Sequence, residues 1–452
     1  MTAHGDRVTV IGGGLAGSEA AWQLASQGIS VDLYEMRPGR PTPAHHTDRL
    51  AELVCSNSLG SHETKSASAL LKEELKLLGS KLIEIAWSCR VPAGSALAVD
   101  RERFAETVTA TILNHPRITV RRQEFPSVPD SGIVVVATGP LTSDALASSI
   151  ANLTGEQQLN FFDAASPILT SESIDHEKVF AASRYGRGEG HYLNCPFSRQ
   201  EYIRFWEALV AAETVARKDF EKDTPFFEAC LPVEVIAARG RDTLRFGPMK
   251  PVGLFDPRAG RRPFAVVQLR QDNAAANLYN LVGFQTNLKW GEQLRVFRLV
   301  PGLEQAEFVR LGVMHRNTFL NSPLVLSATL QLKARPTVLF GGQLTGVEGY
   351  TESIATGLVA ARNAARILAG LEPLVVPAET MVGALIRYIT SCHPRHFQPI
   401  NSNWGLFDCE PEWMHLTKPE RRERCWARAI RWIADSQSWL QTPVISTGCL
   451  PR

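Results

Sequence analysis

The chain has 452 residues, of which 44% are hydrophobic and 21% charged, and its formal net charge is +2. These proportions are typical of a globular protein with a large core, and the length suggests two or three domains of about 150 residues each. The balance of charge excludes a uniformly basic nucleic-acid coat or an acidic tail protein, so any nucleic-acid site must be a local patch.

Membrane and metal partners are not expected from the sequence. The longest apolar runs are far too short to span a membrane, and glycines and Glu19 interrupt the first apolar stretch, which argues against a signal peptide. The eight cysteines show no C-x-x-C spacing, so we expect neither a disulfide framework nor a metal site. We therefore expect a cytoplasmic protein with no membrane partner, and the oligomeric state stays open.

The first forty residues show the clearest structural pattern. Strands are predicted over residues 7–11 and 29–34, with a helix over 18–27 between them, which makes a β-turn-α-β unit with parallel strands. Further helices are predicted over 67–78, 101–114, 353–368 and 418–441, and further strands over 118–124, 133–137 and 337–342. The last helix carries Trp426, Ile430, Ile433 and Trp439 near one side.

The turn between the first strand and the first helix has the spacing G-x-G-x-x-G and predicts a dinucleotide site. In such a turn the first glycine allows a sharp bend, the second lets the backbone approach a pyrophosphate, and the third allows close packing of the helix on the strand. An acidic residue at the end of the second strand accepts hydrogen bonds from a ribose. A tight turn without a ligand is the alternative. The predicted cofactor-binding residues here are Gly12, Gly13, Gly14, Leu15, Ala16, Gly17 and Glu35.

Two later segments favour FAD over NAD as the dinucleotide. One follows the end of a predicted strand near residue 137. The other is a glycine-rich turn two hundred residues further on, followed by a helix that begins near Thr351. Two later segments of this kind suit one long dinucleotide that is bound by both ends of the chain. A plain glycine-rich loop is the alternative for the second segment. They add Thr138, Gly139, Gly341, Gly342, Gly346 and Tyr350 to the predicted FAD-binding residues.

The middle of the chain differs in character, because aromatic residues, charges and prolines mix between 186 and 334. We predict an α/β fold: a discontinuous FAD-binding Rossmann-like domain, residues 1–185 and 335–452, with an inserted α+β domain over 186–334 for the substrate.

Two cysteines stand in polar surroundings. Cys55 begins a Ser/Asn-rich turn within a long loop, and Cys230 precedes a stretch with four cations, 239–250. A thiolate is stabilised by nearby donors and cations, so either cysteine is a candidate reactive thiol, with a buried inert cysteine as the alternative. The cations of 239–250 suit phosphate or a carboxylated cofactor tail, or form an ordinary solvated surface.

Several long strings resemble the folate- and FAD-dependent tRNA (uracil-5-)-methyltransferase family of bacteria over about residues 8–407. The most specific are GGGLAGSEAA, AELVCSNSL, RGRDTLRFGPMKPVGL, VVQLRQDNAAANLYNLVGFQTNLKWGEQ, MHRNTFLNSP, LFGGQLTGVEGYTESIATGL and HFQPINSNWGLF. The resemblance implies methylation of carbon 5 of the T-loop uridine at tRNA position 54. It also implies 5,10-methylenetetrahydrofolate as the one-carbon donor, FAD as carrier and reductant, and NADH or NADPH as the electron source.

The resemblance also implies that the inserted domain over 186–334 serves folate and tRNA, and it implies roles for particular residues. Cys55 and Cys230 are the two functional thiols. We assign Cys230 as the nucleophile toward uracil and Cys55 as the general base or flavin-side partner, with the swapped assignment left open. Weaker candidates for folate or RNA are His315, which suits stacking on a pterin ring, Arg245, Lys250 and Asn401.

Three other functions remain open from the sequence. The same chemistry could act on a ribosomal RNA uridine, since related proteins differ in RNA recognition. A flavin oxidoreductase of a small molecule would need neither folate nor RNA, and a non-catalytic FAD-containing RNA-binding protein would not need the thiols.

Overall fold

The computed structural model describes residues 7–156, 159–186, 191–215, 231–408, 410–413 and 415–436. Its strands are β1 (Arg7–Ile11), β2 (Ser30–Tyr34), β3 (Ser58–Ser61), β4 (Arg90–Val91), β5 (Ala96–Val99), β6 (Ile118–Arg121), β7 (Ile133–Val136), β8 (Leu159–Ala164), β9 (Ile168–Thr170), β10 (Phe180–Ala181), β11 (Tyr192–Phe197), β12 (Ala265–Gln271), β13 (Leu278–Leu281), β14 (Phe308–Arg310), β15 (Met314–Phe319), β16 (Gln331–Leu332) and β17 (Arg335–Phe340). Its α-helices are α1 (Leu15–Ser26), α2 (Ala67–Leu77), α3 (Lys81–Ser88), α4 (Arg101–Leu113), α5 (Asp144–Thr154), α6 (Arg199–Val210), α7 (Val233–Ala238), α8 (Trp290–Phe297), α9 (Ser322–Val325), α10 (Tyr350–Leu368), α11 (Met381–Ser391) and α12 (Lys418–Asp435).

The first sheet has the order β16-β17-β7-β1-β2-β6. Its strands are parallel except β16, which pairs antiparallel with β17 at one edge. The central strands are rich in valine and buried on both faces, as parallel sheets covered by helices are. Because parallel strands end at the same edge, the turn after β1 and the end of β2 lie side by side. The predicted β-turn-α-β unit and the α/β fold class are confirmed.

Helices α1 and α10 cross closely over this sheet. A Cβ on Gly357 would overlap the backbone of Ala16, so only glycine lets the two helices approach so near. The same contact brings the turn that precedes α10 next to the turn that precedes α1. Two segments more than three hundred residues apart in sequence therefore meet at one edge of the sheet.

The second large sheet is antiparallel throughout, with the order β10-β11-β12-β13-β9-β14. Its core contains Phe205, Phe284 and Phe297, which pack between the sheet and helices α6 and α8. The strands β8 and β15 form a separate antiparallel pair. Along the chain, each of them lies between a strand of the first sheet and a strand of the second. The strands β9 and β10, which precede residue 186, are hydrogen-bonded into the second sheet, and β16, which precedes residue 335, is hydrogen-bonded into the first. The domain boundaries at 185/186 and 334/335 stay a prediction.

The C-terminal helix α12 is amphipathic, as its sequence predicts. Its buried residues are Cys425, Ala429 and Ile433, at a spacing of four, whereas Trp426 and Ile430 flank this face and are half-buried. Trp426 and Ile430 pack against the same core as Ile433, so the predicted apolar side is confirmed for these three residues, and Trp439 lies outside the described residues. No helix in the described ranges is both long and apolar enough to cross a membrane.

A buried carboxyl group joins two helices behind the first sheet. Glu74 of α2 is fully buried, and its two oxygens accept hydrogen bonds from the backbone N–H groups of Met381 (2.7 Å) and Val382 (2.9 Å) at the start of α11. These donors are unpaired within their own helix, so the carboxyl group caps it. Burial outweighs these bonds and raises the pKa of Glu74 from 4.5 to about 8.

This raised pKa predicts a pH dependence of stability. Because the folded pKa lies above the unfolded value, the contribution of Glu74 is fully present below pH 4.5 and is lost as pH rises through 8. Between pH 5.5 and 8 the wild type should lose up to about 3 kcal/mol relative to Glu74→Gln, as measured by urea unfolding. Glu73→Gln removes a half-buried carboxylate that pairs with Lys76 on the same helix, and this control should follow the wild type. Parallel pH curves for the wild type and Glu74→Gln would contradict the prediction.

Candidate active site

The glycine-rich turn has the geometry that its spacing predicts. Gly12 has a φ of +105°, and a Cβ there would lie 2.5 Å from the Ala137 carbonyl oxygen. A Cβ on Gly17 would overlap the carbonyl of Gly12, so this glycine sets the close approach of α1 to β1. A Cβ on Gly14, by contrast, would meet nothing within 4 Å. Gly14 therefore faces open space at the N-terminus of α1, where backbone N–H groups are free to bind an anion.

Glu35 lies at the end of β2 beside this turn. It is buried, and its carboxylate accepts hydrogen bonds from the Gly13 backbone N–H and from the backbone and side chain of Arg37, all at 3.0 Å. Burial raises the pKa of Glu35, but the charge and hydrogen bonds of Arg37 outweigh it, so the pKa lies below its ordinary value. Glu35 is thus held as a carboxylate at the edge of the open space.

Arg37 was not predicted, although it follows a predicted strand end. Its guanidinium is buried and joins Glu35 to Glu52, each at 3.0 Å. It also donates to the Thr47 carbonyl oxygen and so stabilises the loop after β2. The sequence signal for it was indirect: a long aperiodic loop inside a compact domain predicts function but does not single out a residue.

The open space continues into a cleft of about 1000 Å³, its mouth included, at the carboxyl edge of the first sheet. The predicted cofactor-binding residues that line it are Gly12, Gly13, Gly14, Leu15, Ala16, Glu35, Thr138, Gly139, Gly342 and Tyr350. Lining residues that the sequence did not single out are Met36, Arg37, Thr42, His45, Glu52, Val54, Gln123, Glu124, Phe125 and Ser143. Such a cleft is of the size that binds cofactors in other proteins.

Three predicted glycines lie behind the cleft wall instead. Gly17 packs against Gly12, and Gly341 packs against Gly357 of α10. Gly346 has a φ of +85° and lies against the ring of Phe397. Their conformations and close contacts position the lining residues, and they do not line the cleft themselves.

Cys55 lies next to the cleft and contacts Tyr350, the first residue of α10. Its backbone N–H donates to the Tyr350 hydroxyl at 2.9 Å, and both Tyr350 and the neighbouring Val54 line the cleft. Cys55 is half-buried. The other predicted thiol, Cys230, lies outside the described residues.

Three of the four weaker candidates, Arg245, Lys250 and Asn401, lie away from the cleft lining. Arg245 donates to the Phe264 carbonyl oxygen and to Asp242, and its guanidinium lies 3.7 Å from the ring centre of Phe264. Lys250 is exposed. Asn401 is exposed, and its carbonyl oxygen accepts from the side chain of Asn403. The backbone of His315 belongs to β15, but its side chain lies outside the described part of the structure.

A buried ion pair links the Cys55 loop to the second sheet. Arg101, the first residue of α4, binds Asp272 through two nitrogens, at 3.0 and 3.3 Å, and also donates to the Leu53 carbonyl oxygen. Asn280 donates to the same carboxylate at 3.0 Å. Burial raises the pKa of Asp272, but Arg101 outweighs it and lowers the pKa below its ordinary value.

Replacing Asp272 with asparagine should destabilise the protein by about 3 kcal/mol, because it leaves the Arg101 charge buried without its partner. The side chains of Arg101 and Asp272 are only 12% and 4% exposed, so solvent screens the pair weakly. Glu304→Gln breaks the exposed Lys178–Glu304 pair and should cost much less, because solvent screens exposed ion pairs. Urea unfolding of the two variants checks this, and equal costs would contradict it.

The comparisons with known proteins agree with this fold. The sequence model of the family described as "Glucose inhibited division protein A" matches residues 7–372. The methylenetetrahydrofolate--tRNA-(uracil-5-)-methyltransferase TrmFO of Desulforudis audaxviator is 60% identical over 432 residues, which are 95% of this chain and 98% of that protein. The TrmFO of Thermosynechococcus vestitus is 56% identical, with 98% of both chains covered.

Among solved structures, Aquifex aeolicus GidA in its form I crystal has a TM-score of 0.69 with this chain at 16% sequence identity. The alignment covers 98% of this chain and 76% of GidA. At this identity the likeness concerns the fold, and it confirms the α/β, Rossmann-type architecture.

Proposed function

Since this chain belongs to the glucose inhibited division protein A family and to the methylenetetrahydrofolate–tRNA-(uracil-5-)-methyltransferases, we propose that it methylates carbon 5 of a uridine in tRNA. Methylenetetrahydrofolate is the one-carbon donor. The observation that carries this proposal is the near full-length similarity to enzymes of that name. The proposed target is the T-loop uridine at position 54, and the proposed compartment is the cytoplasm.

We propose FAD as the cofactor of the cleft. The glycine turn fits its pyrophosphate, because Gly14 has open space in front of it while Gly12 and Gly17 are closed in by backbone. The N–H groups and the positive dipole end of α1 bind the phosphates, and Glu35 is held as a carboxylate where a ribose would bind. Bound FAD supplies the reductive and one-carbon carrier chemistry, and NADH or NADPH is the proposed source of electrons.

The thiols supply what uracil requires. Carbon 5 of uracil is a poor nucleophile until a thiolate adds to carbon 6, and we assign that addition to Cys230. After carbon 5 has accepted the one-carbon unit, a base must remove its proton, so that the bond between sulfur and carbon 6 breaks. We assign this step to Cys55, which lies beside the cleft. The swapped assignment is the alternative that the experiment on the thiols must exclude.

The remaining candidates are assigned to the substrates. His315 is proposed to stack on the pterin ring, and Arg245 and Lys250 to bind the anionic folate tail or RNA phosphates. Asn401 is proposed to donate hydrogen bonds near the flavin ring or RNA. Arg245 would have to exchange its bonds with Asp242 and Phe264 for an anionic ligand, so it is the weakest of the four.

Transfer of radiolabel from methylene-labelled tetrahydrofolate tests the proposal. The purified protein is incubated with NADPH and one of three RNAs: a tRNA transcript, the same transcript with its T-loop uridine replaced by cytidine, or a ribosomal RNA fragment. We expect label only in the first RNA. Label in the ribosomal fragment alone would assign the chemistry to another RNA. NADPH oxidation without label in any RNA would indicate an oxidoreductase of a small molecule and would reject the proposal.

A further inference from the structure

Three arginines from three different elements surround the loop that carries Cys55. Arg101 of α4 and Arg310 of β14 donate to the carbonyl oxygens of the two residues before Cys55, the latter bond at 2.6 Å. Arg270 of β12 donates at 2.9 Å to the side chain of Asn57. All three guanidinium groups also interact electrostatically with Cys55 itself. The loop is therefore held by cations on the side of the second sheet.

These cations are poorly solvated. Arg270 is only 7% exposed and Arg310 is half-buried, and burial lowers the pKa of both. A buried cation is stable only when an anion or several hydrogen bonds compensate for its lost hydration. Arg270 and Arg310 therefore need such partners nearby.

Two carboxylates of the described chain act on these arginines. Asp272 binds Arg101 directly and acts on Arg270 at longer range. Glu52 acts on Arg310, but its own ion pair is with Arg37, which is also bound to Glu35.

The remaining titratable groups that interact with the cluster are neutral in their ordinary forms at pH 7. Tyr192 acts on Arg270, and Tyr350 acts on Arg101 and Arg310. His46 faces Arg310 and Arg101, and together with burial they lower its pKa, so it adds no charge at neutral pH. Among the residues that the structure describes, the carboxylates that act on these arginines and on Arg37 are Glu35, Glu52 and Asp272.

We propose that Arg101, Arg270 and Arg310 are positioning residues that hold Cys55 as a thiolate at neutral pH, its proton having passed to solvent. Their hydrogen bonds to residues 53, 54 and 57 hold three cations on both sides of Cys55, and cations close to a cysteine favour its thiolate form. On the proposed function, on which the use of the thiolate rests, Cys55 is then already deprotonated when it must accept the proton from carbon 5.

The rate at which iodoacetamide alkylates Cys55 tests this inference, because only the thiolate attacks carbon and displaces iodide. The rate is measured on the FAD-containing protein between pH 5.5 and 10, by mass spectrometry of the tryptic peptide 50–65. An ordinary cysteine reaches half of its maximal rate near pH 8.5. We expect about pH 7.5 or below for the wild type, and a rise of about one unit in Arg310→Gln and in Arg270→Gln.

Two further variants separate charge from folding. Arg310→Lys keeps the positive charge and should restore most of the wild-type pH profile. Arg366→Gln, at the far end of α10, removes an arginine that donates to the Glu372 carbonyl oxygen and should leave the profile unchanged. A wild-type midpoint at pH 8.5 or above overturns the inference, as does an Arg310→Gln profile equal to that of Arg366→Gln in folded protein. The assay contains no RNA or folate, so its failure is distinguishable from failure of the methyl transfer.

Discussion

Gly14→Val should yield a folded protein that has lost its flavin and its methyl-transfer activity, the latter by about a thousandfold or more, since the chemistry depends on the cofactor. The valine side chain would occupy the space in front of the α1 N-terminus, where a Cβ on Gly14 meets nothing within 4 Å. Because a Cβ at this position meets no protein atom within 4 Å, the free energy of unfolding should change by less than about 1 kcal/mol. Flavin absorbance, urea unfolding and label transfer measure the three quantities.

Two controls separate cofactor loss from misfolding. Gly291→Val introduces the same side chain at another open position, at the start of α8, and should keep flavin and activity. Gly17→Ala should instead destabilise the protein by about 3 kcal/mol, because its Cβ would overlap the Gly12 carbonyl. A yellow, active Gly14→Val protein would place the cofactor elsewhere.

Cys230→Ala should reduce label transfer to tRNA by about a thousandfold or more, because without the thiolate carbon 5 of uracil stays unreactive. Cys392→Ala removes a half-buried free cysteine outside the site and should retain activity. Under our assignment Cys55→Ala also loses turnover but still forms the bond to carbon 6.

A denaturing gel distinguishes the two thiols. With folate, NADPH and tRNA present, Cys55→Ala should accumulate a covalent protein–RNA species, since the proton on carbon 5 cannot be removed and the carbon–sulfur bond does not break. Cys230→Ala should give none. The reverse pattern would establish the swapped assignment, and full activity of either variant would remove that cysteine from the mechanism.

The part of the fold that was predicted correctly, the glycine-rich turn and the elements around it, is encoded by local sequence. The spacing of Gly12, Gly14 and Gly17 fixes the turn, and hydrophobic periodicity fixes β1, α1 and β2 around it. Because parallel strands end at one edge, the position of Glu35 beside the turn followed from its place in the chain.

The part that was missed depends on distant contacts. Arg101 and Asp272 are 171 residues apart, and Cys55 meets Tyr350 across 295 residues. No periodicity reports such pairs, since they depend on how two sheets and a loop pack. Likewise, nothing in the sequence of α2 shows that Glu74 points inward to cap α11.

The isotopic composition of the transferred methyl group tests the central claim most directly. The reaction is run in ordinary water with tetrahydrofolate that carries a dideuterated methylene group, and the T-loop nucleoside of the transcript is analysed by mass spectrometry. We predict a methyl group with two deuterium atoms and one hydrogen atom at carbon 5 of that uridine with the wild type, and unmodified uridine with Gly14→Val and Cys230→Ala. An undeuterated methyl group, or modification that persists in Gly14→Val, would contradict the account.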